Sequence, residues 1–142
     1  MQLSRFNVRV YGLFIKESHL LVTQEKIAGK LITKFPGGGL ELGESTIDCL
    51  RRELTEELRI SIDVIDHFYT TDFFVQSAFD DSQVISIYYQ ISSKDEIKLI
   101  GENEKIVNGF SWVSLHEMDE HLFAFPIDKH VAHLLKNKFN QS

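Results

Sequence analysis

The chain has 142 residues, of which 43% are hydrophobic and 25% are charged, a composition that excludes disordered, collagen-like and coiled-coil proteins. Asp and Glu outnumber Lys and Arg by 21 to 15, and the resulting formal net charge of -6 argues against a protein that binds nucleic-acid backbones. Because domains usually hold about 100 to 200 residues, this length predicts a single domain over residues 1–142.

Targeting and redox signals are sparse in the sequence. The single cysteine, Cys49, cannot form an internal disulfide, and no basic and then apolar signal segment opens the chain. Arg9, Lys16 and Lys34 interrupt the apolar N-terminal third, so no run of about 18 apolar residues predicts a membrane span. These observations predict a cytoplasmic protein with no membrane partner.

The N-terminal third has the pattern of β-strands. Residues 7–16 are rich in Val, Tyr, Phe and Ile, and a turn at 17–19 leads into the apolar run 20–22, which is typical of a hairpin. A third short strand is predicted over 31–35. It ends at Pro36 and the glycines 37–39, which favour a turn.

A helix is predicted after these glycines. Ser45 and Asp48 have a spacing that resembles a capping box, in which the first side chain accepts a hydrogen bond at the helix N-terminus. Four apolar residues then recur at helical spacing, which predicts one buried stripe formed by Ile47, Leu50, Leu54 and Leu58.

The C-terminal half mixes strand and helix signals. Strands are predicted over 64–75, 84–91 and 110–113. A turn is expected at 80–82 and a short helix at 115–121. Pro126 lies where a further helix is expected to start, because proline suits the first helical turn. The apolar face of that helix is predicted to consist of Val131, Leu134 and Leu135.

Three glutamates on the central helix are candidates for chemistry. At 100° per residue, Glu53, Glu56 and Glu57 share one face, about a quarter circle away from the leucine stripe. Like charges on adjacent turns repel, and either water or a cation relieves the repulsion. A solvated surface would explain such a cluster on its own. A divalent cation is the sharper interpretation, because Mg²⁺ selects carboxylate oxygens and takes its other ligands from water and substrate phosphates.

The residues around the glutamates extend the cluster into a longer motif over 38–60. The motif begins with a glycine, and a glutamate follows after a spacer of five residues. After a further spacer of seven residues comes the run Arg-Glu-apolar-any-Glu-Glu. In this chain the fixed positions are occupied by Gly38, Glu44, Arg52, Glu53, Leu54, Glu56 and Glu57. This is the pattern of the Nudix box. The pattern then calls for a glycine where this chain has Arg59, and Ile60 restores the apolar residue that follows. The sequence therefore resembles the Nudix hydrolase family.

The resemblance implies an α/β fold, namely the Nudix-type α/β/α sandwich with a mixed β-sheet. It also implies a pyrophosphohydrolase that acts on an acid anhydride bond between phosphorus atoms, with Mg²⁺ or Mn²⁺ and an attacking water. The implied substrate is a small nucleotide-type molecule, either a nucleoside diphosphate linked to a further group or a nucleoside triphosphate. Nucleic acid is not an expected partner.

The resemblance assigns site residues by position. The implied metal ligands are the carbonyl of Gly38, Glu44 through a water, and the carboxylates of Glu53, Glu56 and Glu57. The predicted catalytic residues are Glu53, Glu57, Arg52 and Glu104. Arg52 is expected to orient a carboxylate of the box through its planar fork. The general base stays open between Glu53 and an acid of the polar loop before Trp112, either Glu102 or Glu104.

Several alternatives remain beside this hypothesis. A Nudix-fold sensor would bind a nucleotide without turnover, although so dense a set of glutamates favours an enzyme. A Nudix-fold isomerase of prenyl diphosphates would need further Cys and Glu residues, and Cys49 is poorly placed for that role. The aromatic residues between 68 and 79 could stack on a base, but strand core or a dimer interface is the more common use. A homodimer is favoured only by its frequency among small oligomers.

Overall fold

The computed structural model describes residues 2–97 and 108–140 of the chain. Its strands are β1 Arg5–Lys16, β2 His19–Ile27, β3 Lys30–Lys34, β4 Gly37–Gly39, β5 Asp63–Thr70, β6 Ser82–Ser92 and β7 Asn108–Ser114. Its helices are α1 Thr46–Leu58, a 3₁₀ helix Glu120–Leu122 and α2 Pro126–Phe139. Within the described ranges, the strand order is β3-β2-β1-β6-β5, with β4 paired to β1 and β7 paired to β2. The mixed sheet with its two α-helices confirms the predicted α/β class.

Strand β1 separates the two halves of the core. Val10 packs in one cluster with Leu50 of α1, whereas Leu13 packs in the other cluster with Val131 of α2. Successive side chains of a strand point to opposite faces of the sheet, so this alternation puts the helices on opposite faces. β1 pairs in parallel with β6 and antiparallel with β4, and its pairing with β2 is confined to the residues beside the hairpin turn. The helices therefore sandwich the sheet.

The two α-helices largely follow their sequence patterns. Ser45 caps α1, since its hydroxyl accepts a hydrogen bond of 3.0 Å from the backbone N–H of Asp48. The buried residues of α1 are Cys49, Leu50 and Leu54, while Ile47 and Leu58 are only partly buried. In α2, Val131 and Leu135 are buried and Leu134 is partly exposed. None of the helices in the described ranges is both long and apolar enough to cross a membrane.

Three predicted elements differ from the structure. The predicted strand 64–75 ends at Thr70, because the next residue, Thr71, turns to hydrogen-bond through its backbone and hydroxyl to Ser86. The glycines 37–39 form β4 rather than only a turn. The predicted helix 115–121 is a turn followed by the 3₁₀ helix, in which the N–H of His121 donates to the carboxylate of Asp119. The first two differences come from hydrogen bonds to distant strands, whereas the cap by Asp119 is local.

Arg59, which replaces the glycine of the box pattern, is the C-cap of α1. It has a left-handed conformation with φ 56° and ψ 39°, and its N–H donates to the carbonyl of Thr55 at 2.9 Å. We expect Arg59→Gly to raise the free energy of unfolding by up to about 1 kcal/mol, because a side chain disfavours this conformation. Turnover should stay close to that of the wild type. Urea unfolding and a steady-state assay would check both, and a large gain or loss of turnover would instead make Arg59 a functional residue.

Candidate active site

Two glycines let β4 lie close to its neighbours, Gly38 to helix α1 and Gly37 to strand β1. A Cβ on Gly38 would lie 2.4 Å from both Cδ and Oε1 of Glu53. A Cβ on Gly37, which has φ 147°, would lie 2.1 Å from the carbonyl oxygen of Val10. These distances are too short for any other residue without movement. The glycine strand is therefore what allows the carboxylate of Glu53 to lie directly on the β4 backbone.

Arg52 links the acidic residues of the motif. Its guanidinium donates two hydrogen bonds to Glu44, at 3.1 Å from Nε and 2.8 Å from Nη2. Nη1 donates to Glu53 at 3.0 Å and more weakly to Glu56 at 3.4 Å, and Nη2 also reaches the carbonyl of Gly39 at 3.1 Å. A planar fork with five donors is suited to such shared contacts. The structure thus brings Arg52 together with Glu44, Glu53 and Glu56.

Glu44 is held as an ionised carboxylate. The hydrogen bonds from Arg52, and next the backbone N–H of Glu41, lower the pKa of Glu44 to about 2. Hydrogen bonds to the charged form stabilise that form. Both carboxylate oxygens are occupied by Arg52, so Glu44 fixes the orientation of Arg52 in this arrangement.

Glu57 has the opposite environment. Desolvation, followed by the charge of Glu53, raises the pKa of Glu57 to about 7, even though the residue as a whole is exposed. Lys34 and a backbone hydrogen bond at Gly37 act in the other direction. The charge of Glu53 opposes the ionisation of Glu57, and a bound cation would relieve that repulsion.

The donors of this cluster suit a hard divalent cation. Within residues 2–97 and 108–140, no group of three His, Cys, Asp or Glu side chains converges tightly enough to hold a metal ion as it stands. Mg²⁺ nevertheless needs only one or two protein carboxylates when water and phosphate oxygens complete its shell. Glu53 lies against Gly38, and the carboxylate of Glu57 accepts a backbone hydrogen bond at Gly37 and is influenced by the charge of Glu53. The donor set therefore fits the ion. The predicted candidates for the general base, Glu102 and Glu104, lie outside the described residues.

A cavity of about 180 Å³ opens on the α2 side of the sheet. Its lining comes from β1, β6, the ends of β2 and β3, the segment 75–79 and the start of α2. Asp128 lies at its wall with an exposure of only 3%, and the hydroxyl of Tyr88 donates to its Oδ1 at 2.6 Å. Burial raises the pKa of Asp128 to about 7, against the effect of the Tyr88 hydrogen bond. The cavity thus contains a buried acid that is easily protonated.

Asp128 was not predicted from the sequence, although a signal was available. It stands three, four and seven residues before Val131, Ala132 and Leu135, which are all buried on the inner face of α2. An acid in phase with an apolar face is an exception to binary patterning, and such exceptions occur at functional positions.

The predicted aromatic cluster divides between core and surface. Phe68 and Tyr69 pack against the core, whereas Phe73, Phe74 and Phe79 are exposed. Phe79 is 65% exposed, lines the cavity and makes an edge contact with the ring of Phe125 at 6.0 Å between centroids. Of the rings in this cluster, Phe79 therefore has the position to contact a ligand in the cavity.

Comparisons with known proteins identify the family of the chain. The family model described as NUDIX domain matches residues 4–135. The chain is 30% identical over 92 residues to the mRNA-decapping protein OPG122 of Variola virus (isolate Human/India/Ind3/1967), a match that spans 65% of this chain but only 35% of the viral protein.

Solved structures show the same fold. The MutT protein from Methanosarcina mazei Go1 superposes with a TM-score of 0.72 at 20% identity, covering 100% of this chain and 99% of that one. The NUDIX hydrolase from Nitrosomonas europaea gives 0.71 at 17% identity, covering 96% of this chain and 90% of that one. Since the family model spans nearly the whole chain, the protein belongs to the NUDIX hydrolase family.

Proposed function

We propose that this protein is a pyrophosphohydrolase that uses Mg²⁺ or Mn²⁺ to cleave the diphosphate linkage of a small nucleotide-type substrate. Nucleoside diphosphate derivatives and nucleoside triphosphates are the substrate classes. The observation that carries the proposal is that Glu53 lies against Gly38, where Arg52 holds it, and that its charge acts on the carboxylate of Glu57. Membership of a hydrolase family supports it.

The proposed roles follow from the contacts of each residue. Glu53 and Glu57 hold the cation, with Glu56 and the Gly38 carbonyl as further ligands and Glu44 acting through a water. Arg52 keeps the carboxylates of Glu44 and Glu53 in fixed positions through its hydrogen bonds. When bound, the ion would supply positive charge for the phosphate oxygens and a water of lowered pKa. The general base is proposed to be Glu53, Glu102 or Glu104.

The cavity suggests how the rest of the substrate is recognised. Phe79 offers an exposed ring at its edge, and Asp128 offers a carboxyl group that hydrogen-bonds in either protonation state. An apolar pocket with few polar groups is the usual form of a small-molecule site. We therefore place a flat heterocycle in the cavity and the diphosphate beside Glu53. The viral relative is described as an mRNA-decapping protein, but the net charge of -6 favours a small substrate over a long RNA.

The proposal predicts that binding depends on the metal. An acidic site repels a polyphosphate until a cation reverses the local charge. We expect ADP-linked or GDP-linked compounds, or the triphosphates, to bind about tenfold or more weakly in EDTA than with Mg²⁺. Calorimetric titration measures the affinity, and turnover in ¹⁸O-labelled water should place the label on a phosphate product. Equal affinity in EDTA without turnover would contradict the proposal and favour a nucleotide sensor.

A further inference from the structure

Arg9 of strand β1 is a half-buried cation at the wall of the cavity. Its Nε donates to the hydroxyl of Tyr11 at 2.5 Å, and its guanidinium lies over the Tyr11 ring at 5.6 Å from the centroid. Within residues 2–97 and 108–140, the guanidinium has no carboxylate within 4.0 Å and no other hydrogen-bond acceptor. Most of the donors of this side chain therefore lack a partner among the described residues and can bind a ligand.

The surroundings of Arg9 place it between the cavity and the glutamates. Its Nη1 lies 3.6 Å from the point that a Cβ on Gly39 would occupy, so the guanidinium rests against the β4 strand. The charges of Glu53 and Asp128 both act on Arg9 from beyond ion-pair distance. One carboxylate belongs to the candidate metal site and the other to the cavity.

Lys34 is the second cation that lines the cavity, but it is already paired. Its Nζ lies 2.6 Å from Oε2 of Glu25. Among the described residues, Arg9 is thus the cation of this cavity that lacks a paired carboxylate. A partly buried guanidinium normally has a carboxylate or phosphate partner, because two parallel hydrogen bonds offset the loss of hydration.

We propose that Arg9 binds the phosphate group that connects the moiety in the cavity to the bond that is cleaved. Arg9 lines the cavity and also rests against β4, the strand whose Gly38 contacts Glu53, so its donors are placed to bind two phosphate oxygens of a substrate that joins the two sites. This inference rests on the proposed function. It makes Arg9 the residue that recognises the phosphate retained on the nucleoside.

The experiment compares each nucleoside with its monophosphate in EDTA, where no cation contributes to phosphate binding. The ligand pairs are adenosine and AMP, guanosine and GMP, cytidine and CMP, and uridine and UMP, each titrated calorimetrically. We expect wild-type protein to bind at least one monophosphate about tenfold or more tightly than its nucleoside, because a hydrogen bond to a charged group contributes on this scale.

Arg9→Gln should reduce that preference to about threefold or less, and Arg9→Lys should retain part of it, since lysine keeps the charge but not the fork. Arg5→Gln is the matched control. Arg5 lies on the same strand, is exposed, and pairs with Asp80 and Asp81 instead of the cavity. Its loss should leave the preference unchanged.

A purely structural role for Arg9 gives a different result. If Arg9 only balances the negative charges of Glu53 and Asp128 at a distance, Arg9→Gln alters stability. The ratio of monophosphate affinity to nucleoside affinity then stays that of the wild type. That ratio, or a wild-type protein with no preference for any monophosphate, would overturn the proposal. If Arg9→Gln lacks the wild-type circular dichroism spectrum, Arg9→Lys decides: a lowered ratio supports the proposal and an unchanged ratio overturns it.

Failure of the proposed function would be visible separately. Turnover of the nucleotide panel with Mg²⁺ is measured on the same wild-type preparation. If no nucleotide is hydrolysed but the affinity ratio falls in Arg9→Gln, the proposed hydrolase function is wrong and the phosphate subsite is supported. If a nucleotide is hydrolysed but the affinity ratio is unchanged in Arg9→Gln, the hydrolase function is supported and the phosphate subsite is wrong.

Discussion

Glu57→Gln is expected to lower kcat by about 100-fold or more while leaving the fold intact, because it removes a cation ligand and no packing. Glu57 is exposed, and its carboxylate is coupled to that of Glu53. Glu53→Gln should lose at least as much, since Glu53 is both a proposed ligand and a candidate base. Steady-state kinetics across a Mg²⁺ titration, with circular dichroism for folding, would measure both variants.

Asp48→Asn provides the control for these substitutions. Asp48 is an exposed acid on the same helix but in its first turn, away from the glutamate face. Its variant should keep wild-type turnover. If Glu57→Gln also kept the wild-type kcat at saturating Mg²⁺, the assignment of the metal site to this face would be wrong.

Gly38→Ala is expected to separate activity from stability. The new Cβ would overlap the carboxylate of Glu53, which is the end of a flexible side chain and can swing away. The free energy of unfolding should therefore fall by only about 1 kcal/mol. Turnover should fall by about 100-fold, because a carboxylate displaced by an ångström no longer holds its ligand in the productive position. Urea unfolding and steady-state kinetics on one preparation would test the two parts.

Two other glycines give contrasting results. Gly43 has φ 91°, and no atom lies within 4 Å of the point that a Cβ would occupy, so Gly43→Ala should cost some stability through backbone strain and keep turnover. Gly37→Ala would drive a Cβ into the backbone of Val10, and we expect it to prevent normal folding. Wild-type turnover in Gly38→Ala would show that the position of the Glu53 carboxylate does not control activity.

Features that depend on near neighbours in sequence could be predicted. The Ser45 cap, the burial of Leu50 and Leu54, and the shared helix face of the glutamates all follow from spacing within a few turns. The left-handed conformation of Arg59 also follows, because the pattern that normally holds glycine marks a helix end. Local backbone geometry determines each of these features.

Features that depend on distant partners were missed. The glycines of β4 become a strand only because β1 supplies hydrogen bonds, and no property of the glycines themselves favours a strand. The aromatic run after Thr70 has high β-propensity, yet the pairing between β5 and β6 ends at Thr70 and Ile87. Arg9 and Asp128 meet at one cavity from opposite ends of the chain. Sequence spacing carries no information on such encounters.

The parallel pairing of β1 with β6 also sets the order in which the protein can fold. The residues of the glutamate motif are close in sequence. Strand β4, however, pairs with β1, and β1 pairs along most of its length with β6, which follows β2, β3, β4, α1 and β5 in the chain. Long-range parallel pairing is slow, because the chain loses entropy before the contacts form. During synthesis, β1 therefore leaves the ribosome well before its main partner exists. We expect a nascent chain that stops before β6 to lack a stable glutamate site.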